Sequence, residues 1–198
     1  MKNYYEKLST CLVKSNVIKK EDKNLYEYAI VIIVHAILNI ILTVLLGVIF
    51  NMLKETIYFF IAFIFLRKFT GGIHAKRYIF CLVYSTILMA FSLFIIKYFE
   101  QMSNHFVFLR IMIISSIMII ILSPLDNINK KLCNNEKKVY KCICFFITII
   151  ISFLSIVSFK KKLFYIGYSI GMSIILDLLL LLCGYCSKFL HYIIRRSI

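Results

Sequence analysis

Residues 29–50 read AIVIIVHAILNIILTVLLGVIF, a block without a single Asp, Glu, Lys or Arg. At 1.5 Å rise per residue it is about 33 Å long as a helix, enough to cross a hydrocarbon core of about 30 Å. Its apolar residues run all round instead of along one stripe, the pattern of a helix solvated by lipid. Similar blocks follow at about 51–66, 78–96, 106–125, 142–159 and 163–183, and 62% of the 198 residues are hydrophobic. A soluble domain of this size cannot hide so much apolar surface. The sequence therefore predicts an all-α, polytopic membrane protein of about six transmembrane helices in one membrane domain covering residues 1–198. The block at 51–66 is the shortest. Its uninterrupted part, Thr56 to Leu66, rises only about 16 Å, so it must snorkel Lys54, thin the bilayer or dip in without crossing.

Residues 1–28 are polar and basic, with Tyr4, Tyr5, Leu8 and Leu12 at helical spacing, as expected of an amphipathic helix lying on the membrane surface. No cleavable signal peptide is visible, because the first apolar block is too long and lacks a small-residue cleavage site. The net charge of +15 is concentrated between the blocks. Eighteen Lys and Arg fall in 1–28, 67–77, 126–141 and the C-terminal tail, against five in 51–55, 97–105 and 160–162. The positive-inside rule then puts both termini and the 67–77 and 126–141 connections in the cytoplasm, and the alternation requires 51–66 to cross. Membrane topology accounts for the basic balance better than nucleic-acid binding does. The seven cysteines are odd in number and lie mostly in or beside apolar blocks, which reads as reduced thiols and not a disulfide framework.

One connection combines the groups that nucleophilic catalysis needs: Arg67-Lys68-Phe69-Thr70-Gly71-Gly72-Ile73-His74-Ala75-Lys76-Arg77, followed by Cys81. A cysteine attacks as the thiolate. Nearby cations (Arg67, Lys68, Lys76, Arg77), an imidazolium partner and the first turn of a helix all favour that anion. A third block beginning near Lys76–Tyr78 places Cys81 in such a turn. On one continuous helix positions 74 and 81 lie about 10.5 Å apart along the axis, too far for proton transfer. His74 must therefore sit on a loop folded back over the helix start, with Gly71 and Gly72 supplying the backbone freedom. A basic loop with an incidental histidine and a buried cysteine is the plainer reading of the same spacing.

The stretch Arg67–Cys81, with Gly72, His74-Ala75 and Cys81 at these spacings, resembles the accessory gene regulator protein B (AgrB) family. Ser123-Pro124-Leu125-Asp126-Asn127-Ile128-Asn129-Lys130 is similar to that family's second signature, a proline–aspartate–asparagine–lysine turn after a span (Pro124, Asp126, Asn129, Lys130). It departs from it at Lys131, where the family often has proline. Size, span number and a basic N-terminal segment match as well. The resemblance implies a membrane-embedded cysteine endopeptidase of the bacterial cytoplasmic membrane, acting in quorum sensing. Its members cut the C-terminal part from a short precursor peptide and help close the rest into a thiolactone or lactone ring. Carried over, Cys81 is the nucleophile and His74 its general base, with Arg67 and Gly72 supporting the site. No metal or other cofactor is implied. The expected partners are an amphipathic precursor with an acidic tail and the lipid bilayer, and the resemblance leans towards a second copy of the chain as well.

Other polar groups attract attention inside the blocks. His35 and Asp177 fall at similar depth and are candidates to meet, either supporting the catalytic loop or merely holding the bundle, whereas Arg110 lies about 15 Å from Asp177 in depth. Cys183-Gly184-Tyr185-Cys186 has redox spacing without the strand–turn–helix context of a redox fold. A peptide transporter is the rival function, with only His35, Asn39, Arg110 and Asp177 to line a path; a non-catalytic membrane subunit is the other.

Overall fold

The computed structural model describes residues 19–71, 78–102, 104–125 and 133–196, together with residues 7, 10, 11, 13 and 15. A short 3-10 turn at Lys20–Asp22 leads into α1 (Lys23–Ile49). There follow α2 (Leu53–Thr70), α3 (Tyr78–Met102), α4 (His105–Leu122), α5 (Asn134–Lys160) and α6 (Phe164–Arg196). The all-α expectation holds. The chain falls into two compact units, residues 1–42 and 43–198. The amphipathic segment expected around Tyr4, Tyr5, Leu8 and Leu12 lies outside the described residues.

By length and apolar composition α1, Leu82–Met102 of α3, α4, Glu136–Lys160 of α5 and Phe164–Lys188 of α6 are fit to cross a membrane. The second block also forms a helix, but charges at both its ends (Lys54, Glu55, Arg67, Lys68) keep α2 out of that group. Its place in the bundle comes from burial instead, with Phe59 and Leu66 almost fully enclosed.

Helix ends depart from the apolar blocks, each for a local reason. α2 runs on through Arg67–Thr70, so these four residues are its last turn and not part of a loop. α4 stops at Leu122, short of 125, because Pro124 has no N–H and biases Ser123 to its extended conformation. α5 starts at Asn134 instead of 142, where Glu136 and Cys133 form a reciprocal cap with Cys133 N donating to Glu136 Oε2 at 3.0 Å. Lys137, Lys138 and Lys141 therefore sit on helix, not in a connection. With 27 residues α5 is about 40 Å long, longer than a bilayer core, so a polar first stretch fits.

In residues 43–198 the core is built around α6, on which α2, α3, α4 and α5 all pack. Small residues let them approach. A Cβ on Gly171 would lie 2.6 Å from Phe108 Cε1, and one on Gly167 would lie 2.8 Å from Phe159 Cε2. Buried hydroxyls are satisfied inside the protein, as lipid requires. Ser155 Oγ donates to the Gly167 carbonyl at 2.8 Å, and Ser116 and Ser152 hydroxyls meet at 2.8 Å.

Sharp turns close one end, with Asn51 (φ 55°) between α1 and α2 and Lys162 (φ 60°) between α5 and α6. There His105 Nδ1 meets Tyr168 Oη at 2.6 Å and its ring stacks on Phe164, centroids 4.1 Å apart. The longer connections, 71–77 and 123–133, leave from the opposite end.

Candidate functional site

The last turn of α2 sets up the site. A helix C-terminus leaves carbonyls without intrahelical donors, and here the carbonyls of Thr70 and of Gly71 just beyond it find specific partners. Arg67 Nη1 reaches forward to donate to the Gly71 carbonyl at 2.7 Å. The Thr70 carbonyl accepts the backbone N–H of Leu125 at 3.0 Å. Gly71 and Leu125 form a parallel bridge, the place where the two connections touch. Gly71 holds φ at +76°, and a Cβ there would lie 2.5 Å from the Leu125 carbonyl oxygen, so geometry and space both demand glycine.

Beneath this junction lies Asp177 of α6, fully buried. Its Oδ1 accepts from Thr70 Oγ1 at 3.1 Å, with the Leu66 carbonyl as the hydroxyl's alternative acceptor at the same distance. Arg67 Nη1 lies 3.7 Å from the same oxygen. The described partners of Asp177 are Arg67 and Thr70, and His35 Nδ1 meets the Val31 carbonyl of its own helix at 2.7 Å. The sequence offers Asp177 as a candidate support for the catalytic loop but names neither Arg67 nor Thr70 as its partner. Register holds a signal for them, since α2 and α6 both leave the sharp-turn end. Arg67 and Asp177 each lie about 20 Å from their helix starts, counting along the axis.

The second signature is held just as firmly where it begins. Tyr185 Oη of α6 donates to the Leu122 carbonyl at 2.5 Å, and Ser123 Oγ donates to Cys144 Sγ of α5 at 2.8 Å. Pro124 and Leu125 follow, with Leu125 buried against the α2 exit. Three helices thus fix the point from which Asp126–Lys130 departs.

Of the residues expected to act, Cys81 lies in the first turn of α3, which begins at Tyr78. Gly72, His74, Lys76 and Arg77 lie outside the described residues, as do Asp126, Asn129 and Lys130. Lys68 extends over the Phe69 ring, Nζ 5.5 Å from its centroid, at the same end of α2. Cys144 is buried and hydrogen-bonded, whereas Cys142, Cys183 and Cys186 are exposed free thiols. Among the described residues no group of three metal-ligating side chains occurs.

A polytopic helical membrane protein with two polar connections joined at one end is the class that this architecture defines. The family model of accessory gene regulator B matches residues 5–182, and the chain belongs to that family. Membership ties it to accessory gene regulator quorum sensing. Two relatives come from Clostridium perfringens. An AgrB-like protein of strain SM101 is 26% identical over 187 residues, covering 91% of this chain and 85% of its own length. AgrB-like protein 2 of strain 13 is 27% identical over 138 residues, covering 67% of this chain and 63% of its own length, a little under two thirds. No solved structure matches the chain.

Proposed function

We propose that this protein is a cysteine endopeptidase of the bacterial cytoplasmic membrane that matures a short quorum-sensing precursor peptide, cutting it with Cys81 and promoting ring closure. The observation that carries the reading is the junction of Gly71 with Leu125, which joins the connection leading to Cys81 with the second family signature. Family membership supports the peptide-processing class.

The chemistry follows from the residues. His74 takes the Cys81 proton, and the thiolate attacks the scissile carbonyl. The C–N bond breaks as the leaving amine takes that proton from the imidazolium, which leaves an acyl-enzyme thioester. A thiol within the retained peptide then attacks the thioester and expels the Cys81 thiolate, closing a thiolactone by an exchange between two thioesters that is close to balanced. Had water attacked instead, the linear acid would result, so a site at the membrane edge that restricts water favours the ring. Backbone N–H groups at the start of α3 are the natural donors to the oxyanion. The cations at 67–77 complement an acidic precursor tail.

Co-expression with candidate short precursor peptides that carry an internal thiol and an acidic tail, followed by mass spectrometry of the peptide, tests this. A fragment lighter than the linear N-terminal product by one water, absent with Cys81→Ser and His74→Ala, is the expected result. Cleavage that persists in either variant overturns the mechanism. An uncut peptide carried across vesicles independently of Cys81 would mark a transporter instead.

A further inference from the structure

We infer that Asp177 is a positioning residue for the cleavage site, holding the departure points of both connections through Arg67 and Thr70. The inference rests on the proposed peptidase reading and adds to it a residue of the last helix, far from either signature in sequence.

The argument begins with cost. A carboxylate that is fully buried within a membrane-spanning helix is an expensive choice. General cohesion is a weak account of it, since apolar replacements of buried ion pairs are often neutral or stabilising. Nor is it needed to dock α2 on α6, for these helices pack along their length, with Phe59 and Leu66 enclosed. Its contacts are instead confined to the final turn of α2. Arg67 approaches Asp177 Oδ1 at 3.7 Å while donating to the Gly71 carbonyl at 2.7 Å, so the carboxylate fixes the guanidinium that fixes the chain's exit. Thr70 donates its hydroxyl to the same oxygen at 3.1 Å and accepts Leu125 N on its carbonyl at 3.0 Å. One carboxylate oxygen is therefore linked by a single residue to each connection. Asp177 Oδ2 is buried with no hydrogen-bond partner among the described residues.

A thiolate–imidazole pair whose imidazole lies on such a connection, with its thiol just beyond, is sensitive to the anchor, because a misplacement of about 1 Å costs about 100-fold in rate. The test uses the full chain in phospholipid vesicles and its precursor peptide, with rates normalised to the amount of protein in the membrane. Asp177→Asn keeps the volume and the acceptor for Thr70 but removes the charge that holds Arg67. Turnover is expected to fall about 10- to 100-fold with KM for the precursor little changed. Because the two residues act as a unit, Arg67→Gln combined with Asp177→Asn is expected to lose no more than Arg67→Gln alone. Wild-type turnover in Asp177→Asn, or losses that multiply in the double variant, overturns the inference.

Should Asp177→Asn fail to accumulate in the membrane, Thr70→Val decides, since it cuts the other link with little change of shape. A loss of about 10-fold is expected, and undiminished turnover overturns the inference. A Cys81→Ala arm separates the two readings. If that variant still cleaves, the peptidase proposal itself fails; if it is inert while Asp177→Asn is fully active, only the role of Asp177 falls.

Discussion

Leu125 donates its backbone N–H to the carbonyl of Thr70 at 3.0 Å, which makes the end of α2 and the end of α4 neighbours although α3 intervenes between them in sequence. The described parts of the two family signatures, Arg67–Gly71 and Ser123–Leu125, thereby meet. A change at the junction is expected to disturb cleavage without touching a reacting atom.

Gly71→Ala tests that directly. The new methyl would lie 2.5 Å from a backbone oxygen of Leu125, at a φ of +76° that L-residues disfavour. The backbone cost alone is about 1–3 kcal/mol, because with ψ at −159° this conformation is open essentially to glycine. The bridge should open, with insertion preserved and peptide cleavage reduced at least about 10-fold, as positioning losses of this kind are. Quantitative mass spectrometry of the peptide, normalised to membrane protein, checks it. Full activity would mean that the bridge does not position the site.

Thiol accessibility separates the cysteines. Cys144 is buried beneath Ser123 and Thr148, whereas Cys133 stands exposed at the start of α5. In single-cysteine variants a charged maleimide is expected to modify Cys133 readily and Cys144 at least about 100-fold more slowly until the protein is denatured, reactivity following access to the thiolate. Equal rates would contradict the packing at the end of α4.

Orientation has its own test. Lys161 lies exposed at the α5–α6 turn, and Cys133 lies on the side of the two signatures. The positive-inside rule predicts that Lys161→Cys reacts with an impermeant reagent on intact cells and that Cys133 reacts only after permeabilisation. The opposite pattern would invert the proposed topology.

Packing around Gly171 should tolerate no side chain. Phe108 is fully buried and wedged among Phe99, Phe159 and Tyr168, with centroids 5.2, 6.0 and 4.8 Å away, so it cannot swing aside for a Cβ 2.6 Å from its ring. Gly171→Val is expected to destabilise by about 1–3 kcal/mol, the usual cost of overpacking. A lower thermal midpoint in detergent is the measure; an unchanged one would place the closest approach of α4 and α6 elsewhere.

Much of this was legible in the sequence, for identifiable reasons. Uncharged blocks such as residues 29–50 leave a helix in lipid as the economical solution, so the helices appear where hydropathy puts them. Their ends do not, because hydropathy sees only the part in lipid. The cap at Cys133 and Glu136 starts α5 two turns early, and Pro124 ends α4 early. The reactive stretch was visible as residue types, Cys81 in a helix's first turn included. The Arg67–Asp177 pair was not, since depth along a helix says nothing about which neighbour a side chain faces, and His35 satisfied the same depth criterion.

The helix on which α2, α3, α4 and α5 all converge follows them in the chain and so leaves the ribosome after them. Earlier helices can enter the bilayer singly, since each satisfies its own backbone there, and α5 also packs on α2 and α4, but the surface shared by all four is that of α6. Until Phe164–Arg196 has been synthesised, Ser155 lacks its carbonyl partner and Arg67 its carboxylate. Assembly of the bundle therefore completes only once α6 has entered the membrane. A nascent chain that lacks this helix holds Arg67 and Thr70 without their shared carboxylate, and the exit of α2 without its anchor.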